Sequence, residues 1–128
     1  RALFEAYPEA VASTLAIAGR CGDALPTGEE ITPRYEDGDA QSVLRELSYQ
    51  GARERYGKIS DAIRSRLDHE LSVIGSLGFA DYMLLCHDIV GWARGKQNIR
   101  CTGRGSAADS LVAYSLYLTD VDVIARGL

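Results

Sequence analysis

Gly103-Arg104-Gly105-Ser106-Ala107-Ala108 is the stretch on which the reading of this chain turns. Two glycines bracket an arginine, and a serine follows where a helix can begin. Glycine lets backbone approach a ligand closely and accepts dihedrals closed to other residues. The free N–H groups of a first helical turn, with the helix dipole behind them, attract phosphate. The stretch therefore predicts an anion site with Gly103, Arg104, Gly105 and Ser106 as its binding residues.

The flanking charge agrees. Arg94, Lys96, Arg100 and Arg104 fall within one short segment that holds no acidic residue. The chain as a whole has 14 basic and 18 acidic side chains, a net charge of −4, so a broad polyanion-binding face is not expected. A local basic stretch on an acidic protein predicts a focused anion site.

Length and composition set the frame. With 128 residues, 46% of them hydrophobic, the chain has the material for one cored domain, or for pieces of two. No apolar run approaches the ~18 residues a membrane span needs, and no signal-peptide pattern opens the sequence. Three unpaired cysteines, Cys21, Cys86 and Cys101, predict a reduced, cytoplasmic setting. Cys86, His87, Cys101 and His69 lack zinc-ligand spacing, so no metal site is expected from them. The first residue is Arg1 rather than Met, which predicts a segment of something longer.

Along the chain, Pro8 suits a first helical turn, and Ala10, Val11, Leu15 and Ala18 continue a helix that Cys21-Gly22 ends. From Asp23 to Ala40 prolines, glycines and acids predict a linker and a domain boundary. A second helix carries Leu44, Leu47 and Ala52 and closes at Tyr56-Gly57. Ser60 is placed to cap a third, with Ile63, Leu67, Leu71 and Ile74 on one face. A fourth shows the stripe Tyr82, Leu85, Cys86, Ile89 and Ala93, with Trp92 as a packing anchor and Gly95 as its stop. Asn98–Thr102 and Leu118–Ile124 read as short strands on either side of a helix begun by Ser106. The expected class is mainly α with a few short strands, α+β.

Three readings of the glycine stretch compete. Ser106 with Asp109 three residues on fits a capping box, which is structural only. Gly103, Gly105 and Ala108, with Asp122 some way beyond, fit the dinucleotide fingerprint, but the preceding segment is short and polar and no βαβ alternation precedes it. The third is phosphate binding coupled to Asp120-Val-Asp122, whose two carboxylates would share a strand face and could hold Mg²⁺. Against that last pairing stands an ordinary turn bonded by Thr119 and Asp120.

A wider block decides among them. Glu70-Leu-Ser-Val-Ile74, Gly78-Phe-Ala-Asp-Tyr82, Asp88-Ile-Val-Gly-Trp-Ala-Arg94, Gly103 to Ala108, Ser110-Leu-Val-Ala-Tyr114 and Thr119-Asp-Val-Asp122 together resemble the bacterial C-family DNA polymerases, both the replicative alpha subunit of DNA polymerase III and its error-prone relative. Leu3-Phe4, Tyr7 to Ala10 and Ile17 to Cys21 resemble the tail of that family's polymerase-and-histidinol-phosphatase domain.

The resemblance implies three regions: residues 1–22 as that tail, 23–57 as a linker and connecting helix, and 58–128 as the first part of a palm like that of the polymerase-beta nucleotidyltransferases. Gly105-Ser106 would grip the incoming nucleotide triphosphate, with Gly103 and Arg104 beside them. The implied partners are a deoxynucleotide triphosphate, primer-template DNA and other polymerase subunits. The metal-binding aspartates of the family lie in a later Pro-Asp-x-Asp-x-Asp block, so Asp120 and Asp122 are not implied as ligands. Mg²⁺ would belong to the longer polymerase, and this piece alone would be inactive. Cys101-Thr102 and Ala107-Ala108 lean toward the error-prone branch. Three positions depart from the pattern: Asp109 for a small or amide residue, Tyr117 for a glycine and Val123 for a proline. Asp109 is expected to compete with a triphosphate for the helix terminus. The alternative class is a non-catalytic dinucleotide-binding or helical interaction module.

Overall fold

A computed structural model describes residues 2–22, 33–35 and 38–128. The chain divides into two compact units, Arg1–Ile31 and Thr32–Leu128. Most of the expected linker from Asp23, Pro26 and Gly28 included, lies outside the described residues.

In the first unit a short 3₁₀ turn, Ala2–Phe4, precedes helix α1, Pro8–Arg20. Pro8 stands in the first helical turn, where its missing N–H costs nothing. The amide of Cys21 closes the helix on Ile17 O at 3.0 Å. No residue of α1 is buried, and its Leu15 and Ile17 are exposed.

The second unit is built from α2 (Ala40–Tyr56), α3 (Asp61–Ser76), α4 (Ala80–Gln97), α5 (Leu111–Ser115) and α6 (Val123–Arg126). Capping sets the starts. Asp39 accepts from Gln41 N–H and Ser60 accepts from Ile63 N–H, as expected of short polar side chains before a first turn. The core is Leu44 and Ala52 of α2, Ile63, Leu67 and Leu71 of α3, Ala80 and Leu84 of α4, and Leu111, Val112, Ala113, Leu116, Leu118 and Val123 from the last third of the chain. The short α5 sits against both α2 and α3. Its approach to α2 is possible only because position 51 is glycine: a Cβ there would stand 1.9 Å from Ser115 O.

Three expectations about α4 fail in whole or in part. The buried residues of the helix are Ala80, Leu84 and Ala93, and Met83, Cys86 and Val90 pack against the core. Tyr82, Leu85, Ile89 and Trp92 form a second apolar stripe that faces out, with Ile89 57% and Trp92 54% exposed. Trp92 is therefore no packing anchor. Both stripes have helical spacing, so periodicity alone could not rank them. Gly95 does not stop the helix, which runs to Gln97 and ends at Asn98 in the left-handed region, φ 53°.

The expected strands are also absent: no strand occurs among the described residues, and the class is mainly α. Around Asn98–Thr102 there is no ladder among the described residues: Ile99 N–H returns to Ala93 O at 2.9 Å, and Gly103 N–H meets Leu118 O at 2.8 Å. In 118–124 local side-chain bonds replace ladder bonds. Val121 N–H donates to Thr119 Oγ1 at 3.2 Å, and the Asp122 carboxylate takes the amides of Ile124 and Ala125 to start α6. Val123 is then the first residue of that helix, the position at which a proline is tolerated.

Candidate anion-binding loop

Ser106 does not open an α-helix. Gly105–Asp109 is a five-residue 3₁₀ turn with no side-chain cap, and the α-helix begins at Leu111 under Ser110. Ser110 Oγ accepts from Ala113 N–H at 3.0 Å. The terminus is then filled from α3: Glu70 accepts from Ser110 Oγ at 2.8 Å, from Leu111 N–H at 3.1 Å and from Val112 N–H at 3.0 Å. A carboxylate of the protein thus occupies the place where the helix dipole would have received a ligand. Glu70 fills the terminus of α5, and Asp109 just before it offers its backbone carbonyl to Arg66 at 3.0 Å.

Burial would raise the Glu70 pKa. The Val112 amide, Arg66, the Leu111 amide and the Ser110 hydroxyl together outweigh it and hold the group below its ordinary value.

What remains for an anion is the loop itself. Gly103 is committed: its N–H bonds Leu118 O, and a Cβ at this position would lie 3.2 Å from the same oxygen. Its glycine thus serves close packing of two chain segments. Arg104 is extended and exposed, and Gly105 turns the chain at φ 66°, where a side chain would be strained. No heavy atom lies within 4 Å of a Cβ built at Gly105. Ser106 is exposed, and among the described residues neither its hydroxyl nor the Arg104 guanidinium has a hydrogen-bond or ion-pair partner. Gly103 and Arg104 also edge a cleft of about 280 Å³ whose other walls include Tyr82, Met83, Cys86, Cys101 and Leu118.

The two aspartates beyond the loop are engaged elsewhere. Asp120 pairs with Arg94, Nη1 to Oδ1 at 3.1 Å and Nη2 to Oδ2 at 3.3 Å. Asp122 caps α6 and accepts from Tyr56 Oη at 2.6 Å. Arg94 leads the effects that hold the Asp120 carboxyl below the usual carboxylate range. Burial works to raise Asp122, but the Ala125 amide and Tyr56 prevail and lower it. Their charges are spent on arginine, tyrosine and helix amides, so they do not fit a divalent cation. Among the described residues no group of three or more His, Cys, Asp or Glu is placed to hold one.

Other residues around the loop escaped sequence reading. Arg55 of α2 lies between the rings of Tyr114 and Tyr117, 3.9 and 4.2 Å from their centroids, and donates to Thr119 O at 3.2 Å. His87 lies within 3.1 Å of Leu116 O through Nδ1. Arg55, Glu70 and Arg94 each meet partners more than 20 residues away, a separation at which spacing carries no signal.

Residues 42–128 match the model of the bacterial DNA polymerase III alpha NTPase domain. The chain belongs to this family. Over 128 residues it is 51% identical to an error-prone DNA polymerase of Symbiobacterium thermophilum, a match covering 98% of the chain and 12% of that relative. It is 44% identical over 123 residues to a DNA polymerase III subunit alpha of Halalkalibacterium halodurans, covering 93% and 11%. An error-prone DNA polymerase of Nocardia farcinica is 41% identical over 131 residues, covering 98% and 11%. The chain therefore spans about one eighth of the length of the relatives it matches. No single helix among the described residues is long and apolar enough to cross a membrane.

Proposed function

We propose that this chain is the nucleotide-gripping piece of a bacterial DNA-directed DNA polymerase, with the loop of Gly103, Arg104, Gly105 and Ser106 receiving the triphosphate of an incoming deoxynucleotide. The observation that carries the reading is the contrast within one small region. The termini of α5 and α6 are already filled by Glu70 and Asp122, whereas Arg104, Gly105 and Ser106 present an unpaired guanidinium, an open backbone turn and a free hydroxyl. In this arrangement Arg104 neutralises charge and Ser106 donates to a phosphate oxygen. Exposed amides of the 3₁₀ turn complete the cradle. Gly103 is a fixed post against Leu118 rather than a donor to the ligand.

On the same reading residues 1–22 are the tail of a polymerase-and-histidinol-phosphatase domain, 23–57 a linker and connecting helix, and 58–128 the first part of a polymerase-beta-like palm. The described part of 58–128 is helical and holds no strand. Primer-template DNA and further subunits are partners of the longer polymerase. The Mg²⁺ that nucleotidyl transfer uses belongs to the longer polymerase and is held by no residue named here. The residues Cys101-Thr102 and Ala107-Ala108 support a reading in which the longer protein is of the error-prone type.

Arg104→Ala tests the assignment. The side chain is exposed and makes no internal bond, so folding is expected to be unaffected. Affinity for dATP is expected to fall about tenfold, the loss of one charge-assisted contact. An unchanged affinity overturns the assignment. A gain of NAD binding over dATP would favour the dinucleotide module instead.

A further inference from the structure

We propose that Arg94 is a positioning residue for the triphosphate loop: it holds the entry of the loop to the 118–120 segment through Cys101 O and the Asp120 carboxylate. The proposal rests on the reading of 103–106 as the triphosphate site.

One guanidinium makes all the contacts. Arg94 Nη2 donates to Cys101 O at 2.6 Å, and Nη1 and Nη2 straddle Asp120 at 3.1 and 3.3 Å. Only arginine presents donors in a fixed fork that can serve a carboxylate and a carbonyl at once. The far side of the brace is itself anchored. Asp120 also lies 3.8 Å from Arg55, which the Tyr114 and Tyr117 rings clasp and which bonds Thr119 O. Between Arg100 and Arg104 the remaining tie among the described residues that reaches across to another segment is Gly103 N–H to Leu118 O. Arg94 therefore supplies one of the two holds on the backbone that leads into Arg104 and Gly105.

Stability alone does not account for the arrangement. The pair is partly solvated, with Arg94 26% and Asp120 47% exposed, and such pairs add little to global stability. Its effect is local. It fixes where the loop starts, and a loop displaced by about an ångström grips a phosphate poorly. Arg94 is placed behind the loop and is not itself assigned a contact with nucleotide.

The test uses Arg94→Gln, Asp120→Asn and the double variant of the chain, read by amide hydrogen exchange without nucleotide and by titration with dATP. The expected result is at least tenfold faster exchange at Gly103 N–H, with unchanged exchange at the core amides of Leu67 and Leu84. Affinity for dATP falls about tenfold in each single variant, and the double variant is no weaker than either, because both remove one brace. Unchanged Gly103 exchange with unchanged affinity overturns the proposal. Equal acceleration at Leu67 and Leu84 overturns it too, since the role would then be global. If the unmodified chain fails to bind dATP, the triphosphate reading falls and the proposal with it; binding by the unmodified chain and by Arg94→Gln alike sinks the proposal only.

Discussion

The Glu70 carboxylate of α3 accepts the Val112 amide of α5 at 3.0 Å and so closes the N-terminus of a helix 41 residues downstream. Ser110 and the Leu111 amide join the same carboxylate, and Arg66 pairs with it from the preceding turn. Four donors converge on a side chain that is 13% exposed. This contact fixes α5 against α3 and fills the helix terminus with a carboxylate of the protein itself.

Glu70→Gln is expected to cost about 2 kcal/mol, the loss of charge-assisted bonds in a shielded site. Because the Glu70 pKa is depressed in the folded chain, its contribution is fully present above the ordinary value of 4.5 and is lost as pH falls through the lower folded value. Urea midpoints of the two proteins, followed from neutral pH into acid, should converge as that range is crossed. A constant gap down to low pH would remove Glu70 from the acid limb.

Gly51 is where α2 and α5 meet most closely. A methyl group there would stand 1.9 Å from Ser115 O, on backbone rather than on a movable side chain. Gly51→Ala should lower stability by about 3 kcal/mol despite alanine being the better helix former. Thermal unfolding measures it, and a neutral or stabilising result would mean the helices pack farther apart.

Tyr117 takes φ 61°, a left-handed conformation at the position where the resembling family usually has glycine. The strain is offset by Arg55, stacked 4.2 Å from the ring centroid, and by the hydroxyl bond to Glu54 at 2.9 Å. Tyr117→Ala removes the compensation and keeps the strain. Tyr117→Gly removes both, so it should be more stable than the alanine variant by about 1 kcal/mol. The reverse order in denaturant unfolding would show that the left-handed backbone is not strained.

Much of the second unit was legible in the sequence. Leu44 and Ala52, the Ser60 cap and the Ile63-Leu67-Leu71 face all stand as their spacing implies, because each is settled within one helix. Where contacts come from far along the chain, the reading failed. A capping pattern at Ser106-Asp109 matched by spacing, yet Ser110 is the cap because Glu70 draws the amides of Leu111 and Val112. Alternation in 118–124 suggested a strand, but Thr119 and Asp122 satisfy their neighbours' amides locally. At α4 two apolar stripes share one helix, and only packing against α2 separates them. Within the candidate loop, Arg104, Gly105 and Ser106 are singled out by their residue types, whereas the bond of Gly103 to Leu118 is visible only in three dimensions.

The most direct measurement is a titration of the chain with dATP and Mg²⁺ followed by backbone amide shifts. The account predicts the largest shifts at Gly105, Ser106 and Ala107, with Gly103 nearly still because its N–H remains on Leu118, and with Leu111 and Val112 unmoved under Glu70. Shifts centred on Leu111 and Val112, or none anywhere in the loop, would contradict it.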